Sequence, residues 1–251
     1  SDLVDNKHLK KIKKPIETYG KKSADFTINN NNELEITHKK KVWFQADKTF
    51  SVMEAYSKTA GAIVASKMGV NQESIQQSIG KHKAVPGRMQ LLEGKKNSII
   101  IDDTYNASPD ACIAALHTLY QCDNLHKIAM LGNMNELGDY FKPEHQRLGK
   151  YCDPKQLDLV VTVGLDANEY LAPVARKRGC KVKEFNNPYD AGSYVANHLK
   201  EKTIILAKGS QNNVYMEEAI KSLLNNESDK RKLVRQSNAW LKKKKKNFKD
   251  V

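Results

Sequence analysis

The sequence lacks what would place it in a membrane, in an oxidising compartment or around a structural metal. Among its 251 residues no window approaches the roughly 18 unbroken apolar residues that a spanning helix needs. The opening Ser1-Asp2-Leu3-Val4-Asp5-Asn6 has neither an initiator Met nor a basic-then-apolar leader, so a soluble segment of something longer is expected, not a secreted precursor. Its four cysteines, Cys112, Cys122, Cys152 and Cys180, form no C-x-x-C pair and have no His at ligand spacing. That usage predicts a reducing, cytoplasmic setting and no structural zinc. Phosphate-cradling and hydrolytic signatures are missing too. Lys208-Gly209-Ser210 is not a G-x-x-x-x-G-K-[ST] loop, Tyr19-Gly20-Lys21-Lys22-Ser23 has Pro15 where the earlier glycine would stand, and there is no G-x-S-x-G. No part of the chain is predicted to hold ATP phosphates in the P-loop manner.

What the sequence does have is positive charge, unevenly spread. Lys and Arg number 42 against 29 Asp and Glu, a net +13. Residues 228–251 alone hold eight Lys and two Arg against Asp229 and Asp250, which is +8 and leaves +5 for residues 1–227. A uniformly basic chain would point to nucleic acid; an excess gathered in a tail argues against it as the partner. Leu233, Val234, Trp240, Leu241 and Phe248 recur at about seven-residue spacing, so 229–248 is predicted as an amphipathic helix with Lys242 to Lys246 mostly on its wet side. Such a helix either docks with a solvated lysine run or attaches to an anionic membrane surface.

Along the chain, Ala24 to Ile28 and Glu33 to Ile36 flank an Asn29 to Asn32 turn and read as a hairpin, with a further strand near Lys41 to Phe44. Helical patterns follow over 51–69 and 72–81, the second with Asn71 as N-cap. Val85-Pro86-Gly87-Arg88 breaks the pattern and places a domain boundary after residue 87. Beyond residue 96, apolar runs at 98–101, 127–131, 157–163, 182–185 and 203–207 alternate with helix-like stretches, the grammar of βαβ units around a buried parallel sheet. Ser108-Pro109-Asp110 and Asn187-Pro188 mark helix starts, and Pro173 should kink or split the helix over 168–178.

Ligands of such sheets bind beyond the carboxyl ends of the strands, so the residues leaving the strands carry the chemistry. Asp102 and Asp103 close an Ile-Ile-Ile strand and should meet solvent, a cation or ligand hydroxyls; Asp103 is the candidate for a ribose diol, with helix capping or surface pairing as the plainer use. Asn106 fits either a ligand contact or a turn. Lys208-Gly209-Ser210 leaves a strand towards a helix whose N-terminus would attract anions. Arg88, at the expected hinge, is either a surface residue beside a turn or a bridge to phosphate or ribose oxygens.

Taken together, Pro86 to Gln90, Asp102 to Pro109, Leu131 to Gly138 and Lys208 to Ser210 resemble, in order and spacing, the carboxyl-terminal domain of the Mur ligase family, from about residue 84 to 226. The resemblance implies an α/β, Rossmann-like parallel-sheet domain over 88–227, preceded over 1–87 by an incomplete Mur ligase central domain without its P-loop and followed over 228–251 by the basic helix. It further implies an ADP-forming acid–amino acid ligase of peptidoglycan synthesis that uses ATP and Mg²⁺ to activate a carboxylate as an acyl phosphate. The run Tyr105 to Pro109 favours the branch that adds D-alanyl-D-alanine to a UDP-muramoyl tripeptide. Arg88 and Asp103 match the nucleotide-binding positions. Asn106, Asn133, Glu136, Lys208 and Ser210 match the amino-substrate side, and no metal ligand is assigned. Two departures stand out: Ser57 where the family carries an adenine-facing Asn, and Asn133 where it usually carries Asp. They keep open a catalytically degenerate copy, beside a folate-extending relative, another Mur ligase acting earlier in the same wall pathway and a basic nucleic-acid-binding module. Without a P-loop, this stretch alone is expected to be inactive.

Overall fold

The computed structural model describes residues 16–22, 24–31, 33–47, 49–81, 84–124 and 126–248. Ser1 to Asn6, Pro15, Ser23, Asn32 and the last three residues of the basic tail lie outside them. The chain divides into two compact units, Ser1–Lys83 and Ala84–Val251. The division falls four residues before the predicted boundary, because the Val85–Arg88 turn bonds into the second unit.

In the first unit four strands, β1 (Tyr19–Gly20), β2 (Phe26–Asn30), β3 (Glu33–His38) and β4 (Lys41–Asp47), form a sheet in sequence order, with β1 parallel to β2 and the remaining pairs antiparallel. The predicted hairpin is β2–β3. Leu34 and Ile36 alternate with Glu33 and Glu35, so one face is apolar, and it packs with Phe26, Ile28 and Phe44 against two helices. These are α1 (Val52–Lys67), contributing Ala55 and Ala62, and α2 (Gln72–Lys81), contributing Ile75 and Ile79. Both starts are capped, the second as the sequence suggests: Ser51 Oγ accepts the Glu54 N–H at 3.1 Å, and Asn71 Oδ1 accepts that of Ser74 at 2.8 Å.

The second unit is built on six strands, β5 (Gln90–Gly94), β6 (Ser98–Asp103), β7 (His126–Gly132), β8 (Leu159–Val163), β9 (Val182–Phe185) and β10 (Thr203–Lys208), in the spatial order β5-β6-β10-β7-β8-β9. All pairs are parallel except β5 with β6. The parallel sheet expected from the βαβ grammar, Rossmann-like as the resemblance implies, is therefore present, and β5 is an antiparallel edge strand that the grammar did not contain. Ile100, Met130, Val161 and Ile205 form one face of the core with α6 (Pro188–His198) and α7 (Glu217–Lys221). The alternate residues Ile101, Leu131, Val160 and Leu206 are equally buried on the other face, which α3 (Pro109–Tyr120) and α4 (Phe141–Tyr151) cover. Each such side chain contributes about 1.5–3 kcal/mol by leaving water.

Pro173 does not split the helical run, which continues without a break over 165–177, but it changes its winding. A π-helical turn over Ala167–Leu171 passes into the short α5 (Ala172–Lys177), because proline has no N–H to give and its ring crowds the preceding carbonyl. Asn187 caps α6 through the Asp190 N–H at 2.9 Å, whereas Ser108 makes no side-chain cap bond. The tail is not one helix. A 3₁₀ turn, Glu227–Lys232, ends where Leu233 becomes extended, Arg235 takes φ +54°, and only Asn238–Asn247 is helical (α8).

Candidate functional site

The topology creates the site. The chain runs outward through β6, β7, β8 and β9 and returns to insert β10 between β6 and β7. The segment leaving β10 packs on the α6 face, while those leaving β6 and β7 turn to the α3–α4 face. This divergence makes the carboxyl ends of β6, β10 and β7 the topological switch point, where ligands of such sheets bind.

Asp103 ends β6 and Lys208 ends β10, directly opposite each other in the ladder. The Lys208 Nζ lies 2.6 Å from Asp103 Oδ2 and also donates to the Asn106 carbonyl at 3.0 Å. Asp103 Oδ1 accepts the Met89 N–H at 3.2 Å, which fastens the Val85–Arg88 turn to the strand end. That turn needs its glycine: Gly87 has φ +69°, and a β-carbon there would stand 3.0 Å from the Tyr105 nitrogen, whose N–H donates to the Gly87 carbonyl. The exposed Arg88 guanidinium lies over the Tyr105 ring, 4.2 Å from its centroid. A carboxylate offers about four acceptor positions, so Asp103 keeps capacity for ligand hydroxyls beyond its two present donors.

Asp102 behaves differently from the expectation. It is fully buried, its Oδ1 accepts the Thr104 hydroxyl at 2.6 Å and amide at 3.2 Å, and its Oδ2 has no partner. Burial pushes this carboxyl up to about 6, with Thr104 opposing and the charges of Glu217 and Asp103 adding to the rise. It faces neither solvent nor a cation.

On the β7 side, the loop after Gly132 is tied down by side chains. Ser210 is buried; its hydroxyl accepts the Asn135 N–H at 2.8 Å and donates to the Ala107 carbonyl at 3.4 Å, joining three strand-end loops. Asn133 Oδ1 accepts the Ala167 N–H at 2.9 Å, and the Asn133 carbonyl accepts that of Ser210 at 3.0 Å. Gly132 and Gly209 abut: a β-carbon on either would come within 3.3 Å of the other's Cα, with Val214 and Met216 closing on both. His145, with no exposure, accepts the Met134 N–H on Nε2 at 3.0 Å and faces the Phe141 carbonyl with Nδ1 at 2.7 Å. Glu136, in contrast, is exposed at the loop tip with φ +65°. Lys208-Gly209-Ser210 does not open a helix as expected, since turns intervene before the five-residue α7.

Residues 87–211 match the family profile described as Mur ligase, glutamate ligase domain. The second unit belongs to the Mur ligase family. The UDP-N-acetylmuramoyl-tripeptide–D-alanyl-D-alanine ligase of Haemophilus influenzae is 28% identical over 169 residues, 65% of this chain and 35% of that protein. Among solved structures, MurF from Acinetobacter baumannii aligns with a TM-score of 0.70 at 25% identity, over 84% of this chain and 47% of that one. MurF ligase from Thermotoga maritima in complex with ADP aligns with a TM-score of 0.70 at 23% identity, over 86% and 49%, a likeness of fold. The chain thus spans about a third of that curated relative and about half of those structures.

All seven sequence-derived candidates lie within the stretch matched to the Mur ligase profile. The structure brings Asp103 and Lys208 into contact and sets Arg88 on the adjoining turn, while Asn133 and Ser210 serve as fasteners of the neighbouring loops. Lys208, assigned by resemblance to the amino-substrate side, thus pairs with the residue assigned to the nucleotide. Ser57 lies in the first unit, exposed, its hydroxyl bonded to the Met53 carbonyl at 3.0 Å. The sequence reading missed a buried charged group beside the end of β6. Glu217 and Glu218 on α7 are buried with Arg235 and Lys244: Lys244 Nζ is 2.7 Å from a carboxylate oxygen of each, and Arg235 pairs with Glu217 at 2.6 Å. Burial raises the Glu218 carboxyl, but Lys221 and Lys244 outweigh it and hold the group below its usual range. A concavity of about 570 Å³ at the opposite strand ends, lined by Lys127, Gln156, Asp158 and Lys181 among others, contains none of the candidates.

Proposed function

We propose that the chain is the carboxyl-terminal part of a cytoplasmic, ADP-forming ligase that joins D-alanyl-D-alanine to a UDP-N-acetylmuramoyl tripeptide. The observation that carries this reading is the Asp103–Lys208 pair, with the Arg88 turn bonded to it, inside the stretch that matches Mur ligases. The residues present fit the sugar of a nucleotide: Asp103 has acceptor capacity left for ribose hydroxyls, and Arg88 is free to approach an anionic or hydroxyl oxygen. They do not fit its phosphates, for which no glycine-rich loop is present. When bound, ATP supplies the phosphoryl group that activates a substrate carboxylate. Mg²⁺ would depend on ligands from other segments of the ligase, since among the described residues no three His, Cys, Asp or Glu side chains converge.

For the amino substrate, the exposed Glu136 carboxylate suits an ammonium group, and half-buried Asn106 adjoins Lys208, which donates to its carbonyl. Asn133 and Ser210 act by holding the loop that presents Glu136. The Asn at 133 keeps the hydrogen bond to Ala167 that an Asp would make, so it is compatible with a working loop and weakens the case for a degenerate copy.

Titration of ADP into the isotope-labelled chain tests the nucleotide side: the amides of Arg88, Met89 and Asp103 should shift together at millimolar ADP, and silence at all three would remove that role. The chain alone should not turn over ATP. Ligation by it would overturn its assignment as one part of the machinery.

The basic tail supports a second contact, with an anionic membrane surface. At about 100° per residue, Lys242, Lys243, Lys245 and Lys246 fan over one side of α8, opposite the docked Lys244, and all four are exposed. No helix among the described residues is long and apolar enough to cross a membrane, so any contact of this helix is peripheral. Each lysine near such a surface contributes about 1 kcal/mol. Vesicle sedimentation should show binding to anionic and not to neutral lipid, lost at high salt; preference for an oligonucleotide over anionic vesicles would place nucleic acid there instead.

A further inference from the structure

Arg235 stands outside the stretch that matches the Mur ligase profile, yet its side chain reaches the candidate site. Its Nη2 donates to the Thr104 carbonyl at 2.6 Å and its Nη1 to the Tyr105 carbonyl at 3.0 Å. The other edge of the guanidinium is held by Glu217, Nε to Oε1 at 2.8 Å and Nη2 to Oε2 at 2.6 Å. The side chain is only 6% exposed and Glu217 not at all. The backbone is fixed as firmly. Arg235 takes φ +54°, a left-handed conformation uncommon for a residue with a β-carbon, and its carbonyl accepts the Lys244 ammonium at 2.9 Å.

We propose that Arg235 is a positioning residue for the nucleotide side of the site, fixing through the carbonyls of Thr104 and Tyr105 the segment on which Asp103 and Arg88 depend. Thr104 directly follows Asp103, and Tyr105 carries the Arg88 guanidinium on its ring while its N–H holds the Gly87 carbonyl at 3.0 Å. One planar fork with five donors spans two carbonyls and a bidentate carboxylate at once; an ammonium of the same charge has the wrong geometry to do so. The tail therefore acts as a brace on the strand end, with Lys244 bolting the brace to α7. This inference rests on the nucleotide reading above.

R235K in the full chain tests it, read by amide hydrogen exchange and ADP titration. The Tyr105 amide should exchange about tenfold faster, the change expected when a hydrogen bond or two to a charged donor is lost, while the Met130 amide in the sheet centre keeps its wild-type rate. The dissociation constant for ADP should rise by a similar factor. A purely structural role would accelerate Tyr105 and Met130 together and leave ADP affinity unchanged, and that result would overturn the proposal. Should R235K not fold, E217Q exchanges one carboxylate oxygen for an amide nitrogen and removes the charge that Arg235 and Lys244 share. It must then give the same selective acceleration at Tyr105, and its absence overturns the proposal equally. Wild-type chain that shows no ADP shift removes the nucleotide reading and this inference with it, whereas equal ADP affinity in wild type and R235K removes this inference alone.

Discussion

The Lys208 ammonium and Asp103 Oδ2 stand 2.6 Å apart at neighbouring strand ends, their side chains 3% and 10% exposed. Two charges in such a place are far more destabilising when separated than when removed together. K208M, which strands the Asp103 charge, is expected to lower unfolding free energy by about 3–5 kcal/mol. The D103N/K208M pair should cost less than the sum of its single substitutions. Urea denaturation of the three variants closes the cycle, and strictly additive losses would show that the two groups do not act as a pair.

Asp102 makes the fold sensitive to pH in the direction opposite to an ordinary carboxylate. Its folded value, raised to about 6, lies above the unfolded one of 3.8, so the folded state binds the extra proton between them. The stabilisation is complete below pH 3.8 and is lost as pH rises through about 6, on the order of 2–3 kcal/mol. D102N retains the neutral form throughout. Its stability relative to wild type should improve by that amount between pH 4 and pH 7, and a flat difference would rule out the titration.

His145 works the other way. Burial holds its imidazole below the ordinary 6.5, against the weaker opposing effects of the Phe141 carbonyl and Asp166. Its contribution is complete above pH 6.5 and is lost as pH falls towards the folded value. In a D102N background, stability should therefore fall from pH 7 to pH 5, and an NMR titration should find the ring neutral below pH 6.5. Protonation at or above 6.5 contradicts the buried neutral form.

Two glycines of similar appearance should respond with opposite signs. Gly132→Ala drives a β-carbon into Val214 and towards Met216 and is expected to cost about 1–3 kcal/mol, whereas Gly61→Ala in α1, with nothing within 4 Å, should gain about 0.5–1 kcal/mol. Thermal unfolding of each variant, followed in the unit that carries it, gives the comparison. A Gly132→Ala protein as stable as wild type would mean the β7 and β10 ends can move apart.

Much of this fold was legible in the chain. Five apolar runs became β6 to β10, Asn71 capped its helix, and the helical run around Pro173 changed its winding just before the proline, because each is decided by residues a few positions apart. β5 was not legible, since Gln90-Leu91-Leu92-Glu93-Gly94 has little strand character and is extended by pairing with β6. At the site, Asp103 and Lys208 were both recognisable as strand-end groups, but their contact across 105 positions follows from where β10 inserts. Arg235 and Lys244 were hidden in a run of like charges. Their carboxylate partners on α7 are 18 and 26 residues away, and nothing local distinguishes these two cations from their solvated neighbours.

The five consecutive lysines of α8 give the buried slot between Glu217 and Glu218 a redundancy that a single lysine would not. Deleting Lys243 leaves a lysine four positions after Trp240, so the slot would be refilled by its neighbour, while Phe248 would rotate by about 100° away from its edge contacts with Tyr189 and Tyr215. A repetitive stretch of this kind absorbs a slip in length at its charged centre and registers it at its aromatic end.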